Sequence, residues 1–233
     1  MIIEYWSDFT CPFCYIAETR LRKALADLDL TGETKIVFKA FRLNPGASVT
    51  PKRNIVEGFA HHYGMSMEAA AARVESICAM GRGEGLDFNY GTAHATSTFD
   101  ALRMAKFAQS KGNDICNRFV DLAYEAFFSK NLIMSDRETI LGIAEGCGLD
   151  RAEAEEVLDS GAFSAEVERD EAEASMLGLS AVPFFAINHA YGIPGAVDVR
   201  DFKRVLMRAY SEEEAESVSG AVCGPDGCGP KST

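Results

Sequence analysis

The stretch Thr10-Cys11-Pro12-Phe13-Cys14 constrains this chain more than any other. It joins two hydrophobic periods. The apolar run Ile2-Ile3-Glu4-Tyr5-Trp6 enters it and reads as a strand buried on both faces. A helical pattern leaves it, with Ala17, Leu21, Ala24, Leu25 and Leu28 on one face. The motif is therefore a C-x-x-C at a strand-to-helix junction. Cysteines at i and i+3 in helical register share a face, with Cα atoms roughly 5 Å apart, within the span of a disulfide. The first thiol falls at a helix N-terminus, where free N–H groups and the positive end of the macrodipole favour an anion. That lowers the pKa of the first cysteine and leaves the second to resolve it. The expected site is a redox dithiol with Cys11 as nucleophile and Cys14 as resolving thiol. Thr10 is the expected N-cap, and Pro12 falls in the first helical turn, where its missing N–H does no harm.

Further along, Lys35 to Phe41 reads as a second strand closed by Asn44-Pro45-Gly46. Strand, helix and strand in this order require a parallel pair with a right-handed crossover. From about Pro51 to about Gly178 the period is helical. Ser66, Asp136 and Asp150 mark helix starts, and Gly81, Gly83 and Gly85 read as a break. The clearest stripe is Ile115, Phe119, Leu122, Ala123, Ala126 and Phe127. Then Val182-Pro183 opens a strand at Phe184, Asn188-His189 makes a tight turn, Tyr191 to Ile193 pairs back, Pro194-Gly195 stops it, and Asp198 caps a final helix. This divides the chain into a discontinuous α/β domain (1–50 and 179–210), an all-helical insertion (51–178) and a mobile tail (211–233) carrying Cys223 and Cys228.

The formal net charge of −12 argues against a nucleic-acid partner, because nothing would neutralise phosphates. No run approaches the roughly 20 apolar residues of a membrane span, so no membrane partner is expected. Strand residues follow Met1 at once, with no basic and apolar leader, so the expected location is the cytoplasm. In that compartment seven cysteines do not read as a structural disulfide framework. Cys78, Cys116 and Cys147 fall on helices and read as small buried hydrophobes.

The residues Trp6-Ser7-Asp8-Phe9-Thr10-Cys11-Pro12-Phe13-Cys14, Phe41-Arg42-Leu43-Asn44-Pro45, Val182-Pro183-Phe184-Phe185 and Tyr191-Gly192-Ile193-Pro194-Gly195-Ala196 together resemble the DsbA family of thiol–disulfide oxidoreductases over nearly the whole chain, in particular its FrnE-like cytoplasmic subgroup. The resemblance implies a thioredoxin-like fold with a large all-helical insertion. It implies that Pro183 is cis and packs on the cysteine pair. Val182 would then offer its backbone to an extended substrate, with Pro12 and Phe13 lining the same place. It also suggests Glu4 as an acid that relays a proton to the second cysteine, with Lys39 as its cross-strand partner. A strand-edge carboxylate is the competing reading of Glu4.

Phe13 stands where the most oxidising relatives carry a histidine, and Asp8 is expected to raise a neighbouring thiol's pKa. The Cys11 thiolate is therefore expected to be less favoured than the roughly 3.5 of the extreme motif. Cys223 and Cys228 read as a second redox pair shuttling electrons to Cys11 and Cys14, or as a soft-metal site. No metal or other cofactor is expected at the main site, with glutathione a candidate reductant. The expected partner is a disulfide-containing protein or a small thiol. Two rival functions remain. The kappa-class glutathione transferases and 2-hydroxychromene-2-carboxylate isomerases share the architecture but typically carry serine at the Cys11 position. A metal-binding or chaperone-like module would use the tail pair and an apolar groove.

Overall fold

A computed structural model describes residues 1–219. Strand β1 (Ile2–Ser7) runs into helix α1 (Pro12–Asp27), which returns to β2 (Lys35–Ala40). Seven helices follow among the described residues: α2 (Ile55–Tyr63), α3 (Met67–Gly83), α4 (Phe99–Lys111), α5 (Asn113–Tyr124), α6 (Arg137–Cys147), α7 (Arg151–Asp159) and α8 (Ser164–Met176). The chain then rejoins the sheet as β3 (Phe184–Ile187) and β4 (Tyr191–Pro194) and ends in α9 (Val199–Ser219). The sheet order is β2-β1-β3-β4, with β1 parallel to β2 and antiparallel to β3. This is a thioredoxin-like α/β fold with helices between its second and third strands.

β1 is central, as its mostly apolar run implies. Its side chains alternate between faces. Tyr5 stacks on Phe185 at 5.6 Å, and Phe185 meets Phe202 of α9 edge-on at 5.1 Å. On the other face Trp6 donates its indole N–H to the Asp170 carbonyl of α8 at 3.0 Å. Ser7 shares the Tyr5 side; Glu4 shares the Trp6 side.

Four expectations are corrected. Gly81 lies inside α3 and Gly83 is its last residue; the Phe88 ring occupies the space a side chain at Gly81 would need. Pro194 belongs to β4, an edge strand that does not require its N–H. The stripe through Ala126 and Phe127 is helical but widens into a π turn at Glu125–Ser129. The tail does not begin at residue 211, because α9 continues to Ser219, held by Arg208–Glu212 at 3.2 Å and by Tyr191 donating to Glu212 at 2.5 Å. Cys223 and Cys228 lie outside the described residues.

Candidate active site

The turn between β1 and α1 is built around Asp8. Its Oδ1 accepts the Thr10 N–H and hydroxyl, both at 2.9 Å. Its Oδ2 accepts the Leu43 N–H at 2.8 Å and the Thr98 hydroxyl at 3.3 Å. Thr10 is thereby turned back on Asp8 and is not the N-cap. The cap is Cys11, whose sulfur accepts the Cys14 N–H at 3.3 Å. The nucleophile candidate is itself the N-cap, which places its sulfur against the first-turn N–H groups of α1.

Cys11 is 2 % exposed and Cys14 fully buried, both as free thiols. Burial pushes the Cys14 thiol well up, and its hydrogen bond and charge interaction with Cys11 push it further. Hydrogen bonds from the Ser7 hydroxyl and the Asp8 N–H oppose that rise. Asp8 thus acts on the pair differently from expectation. Its carboxylate is committed to Thr10, Leu43 and Thr98, and its backbone N–H favours the thiolate.

The Val182–Pro183 peptide bond is cis, and the Cys11 thiol points at the Val182 carbonyl at 3.6 Å. Cys11, Cys14, Val182 and Pro183 therefore lie together, as the resemblance implies. Of the two residues between the cysteines, Pro12 is buried and only Phe13 presents a surface, at 38 % exposure.

Glu4 is not brought to this place. It lies on the opposite face of β1 from Ser7, bound to Lys39 at 3.0 Å and to His189 at 3.1 Å. The Lys39 pairing is as expected, but it holds the carboxylate on the α8 side. Two polar groups on the cysteine side have no role that the sequence discloses. Ser7 hydrogen-bonds the hydroxyl of Tyr124, the last residue of α5. Glu18, one turn beyond Cys14 on α1, is 2 % exposed, with one oxygen on Arg22 at 2.6 Å and the other unpartnered.

Beside the turn opens a cavity of about 530 Å³. Asp8, Thr10, His62, Tyr63 and Tyr90 are among its lining residues, and Lys52 and Arg53 supply cations.

The fold is that of thioredoxin-like thiol–disulfide oxidoreductases, and the protein is an enzyme of that class. The chain belongs to the DSBA-like thioredoxin domain family, which it matches over residues 2–207. It is similar to a probable DsbA oxidoreductase, SCO1869, from Streptomyces coelicolor, with 32 % identity, all of both chains covered and a TM-score of 0.85. A 2-hydroxychromene-2-carboxylate isomerase shares the fold at 17 % identity, covering 95 % of this chain and 100 % of that one, with a TM-score of 0.68. The cytosolic disulfide reductase DsbM from Pseudomonas aeruginosa, solved with GSH, shares it at 16 % identity, covering 93 % and 100 %, with a TM-score of 0.58. No helix among the described residues is long and apolar enough to cross a membrane.

Proposed function

We propose that the protein exchanges disulfides through Cys11 and Cys14, in the reductase or isomerase direction, within a reducing compartment. The observation that carries this reading is the placement of the Cys11 sulfur. It caps α1, receives the Cys14 N–H and faces the Val182 carbonyl beside the cis-proline. The Cys11 thiolate attacks a substrate disulfide and releases one half as a thiol. Cys14 then attacks Cys11 and releases the other half, leaving the Cys11–Cys14 disulfide. The exposed Phe13 and the Val182 backbone receive the substrate chain. Glutathione is the reductant we infer, supported by the cationic cavity next to Thr10 and by its presence in the DsbM structure.

Reduction of a model protein disulfide tests this directly. Cys11→Ser abolishes turnover, while Cys14→Ser still forms a mixed disulfide with substrate and holds it. Activity that survives Cys11→Ser overturns the assignment. A glutathione-dependent isomerase activity that survives Cys14→Ser would instead favour the isomerase-type chemistry of its structural relative.

A further inference from the structure

A buried hydroxyl is costly unless it is partnered, and two meet beneath the cysteines. Ser7 ends β1 and Tyr124 ends α5; both are fully buried and their oxygens share a short hydrogen bond. The Tyr124 ring has little freedom. It stacks on Tyr15 at 4.8 Å and meets Phe9 edge-on at 5.8 Å. The π turn at Glu125–Ser129 follows it directly, a feature frequent where a helix has been adapted to a function.

Each hydroxyl has one proton to give. Burial first, and then the facing Cys14 sulfur, push the Tyr124 phenol well above its ordinary range, so it keeps its proton and remains a donor. With Tyr124 as donor to Ser7 Oγ, the Ser7 hydroxyl hydrogen is left available to the Cys14 sulfur, whose charged form it favours. The Asp8 N–H approaches the same sulfur. The other titratable groups around Cys14 and the hydroxyl pair are Cys11 and Glu18 on α1 and Tyr5 on β1, with Arg22 holding Glu18.

We propose that Tyr124 is a positioning residue for the resolving step: it fixes the Ser7 hydroxyl as a donor to Cys14, so that this buried sulfur can carry charge as it attacks. The inference rests on Cys14 being the resolving thiol. In that step Cys14 loses its proton and its sulfur bonds to Cys11. The bond from Cys11 to the substrate sulfur breaks, and the substrate leaves with the electron pair and takes up one proton. The Cys14 sulfur is oxidised and the substrate sulfur reduced to a thiol, while Cys11 exchanges one disulfide bond for another. The proton lost by Cys14 is matched by the one the leaving substrate takes up. Ser7 and Tyr124 keep their protons throughout. A segment between the second and third strands thus supplies part of the chemistry of the first.

The test follows the two steps separately in the full chain. Reduced protein is mixed with a peptide disulfide, quenched in acid at intervals and weighed by mass spectrometry. In Tyr124→Phe and Ser7→Ala the mixed disulfide forms at the wild-type rate, but its resolution is about tenfold slower and its pH profile moves up by about one unit. The double variant is no slower than Ser7→Ala alone, because Tyr124 acts through Ser7. Unchanged resolution in both single variants, or additive losses in the double variant, overturns the proposal. If Tyr124→Phe does not fold, Ser7→Ala, which removes one oxygen, decides on its own, with slowed resolution sustaining the proposal and unchanged resolution overturning it. A wild-type protein that never forms the mixed disulfide overturns the exchange reading itself, an outcome distinct from one that forms it and resolves it normally in both variants.

Discussion

Asp8 shows how one carboxylate sets the geometry of the turn while only its backbone N–H bears on the sulfur. Burial pushes its pKa up although four donors pull the other way. An acid whose pKa is higher folded than unfolded favours folding in its protonated form. Its contribution is fully present below the unfolded value of about 4 and is lost as pH rises through the raised folded value. Asp8→Asn cannot ionise, so urea midpoints of wild type should fall relative to those of the variant as pH rises from about 4 to 7. Parallel curves would mean that Asp8 is solvated as an ordinary carboxylate. Asp8→Ala removes the acceptor for Thr10, Leu43 and Thr98 altogether, and should cost about 1–3 kcal/mol near neutral pH.

The glycines of the helices separate local propensity from packing. A Cβ at Gly81 would sit 2.6 Å from the Phe88 ring, which stacks on Phe128 at 4.7 Å. Gly81→Ala gains about 1 kcal/mol of helix propensity but overpacks a rigid aromatic cluster at about 1–3 kcal/mol, so the melting temperature should fall. Gly142 in α6 is exposed with nothing within 4 Å, so Gly142→Ala should raise it. Two shifts of the same sign would show that Phe88 does not decide the first case. Such contrasts mark what the sequence could disclose. The strands and most helices follow from hydrophobic period, caps and a proline at a strand start, all local signals, whereas the approach of Pro183 to Cys11 is what the family resemblance implies. Gly81 was read as a breaker because Phe88, which explains it, is a tertiary neighbour. Thr10 looked like the cap because its commitment to Asp8 depends on the fold of the turn. Glu4 fits a relay by strand position, and only the alternation of β1 faces, once α1 and α8 are placed, separates it from Cys14. Glu18 and Tyr124 belong to no motif, and Ser7, inside the Trp6 to Cys14 stretch, carries no role that the stretch discloses. They meet the cysteines through one helical turn or across the β1–α5 contact.

Across the whole molecule the charge balance opposes the anionic ligand that the cavity cations favour. The chain carries 35 acidic and 23 Lys and Arg residues, so its mean field repels an anion. Near the cysteines the balance reverses, because Lys52 and Arg53 line the cavity and form no ion pair among the described residues, while Asp8 is enclosed by its donors. At physiological ionic strength the screening length is about 8 Å, so a docked ligand responds to the cavity cations far more than to the distant acids. Anionic disulfides should therefore be preferred over cationic ones of similar size. The comparison is oxidised glutathione against cystamine. Reversing both cations, Lys52→Glu with Arg53→Glu, should lower kcat/KM for oxidised glutathione roughly tenfold and leave cystamine unchanged or improved. The glutathione loss should shrink at high salt, since the contacts are exposed. Equal losses for both substrates would instead mean that the variant distorts the segment between β2 and α2, and no loss for either would place the docking surface elsewhere. The sign of the cystamine response is the deciding measurement, because distortion of the loop can only slow both substrates, whereas reversed charge must separate them.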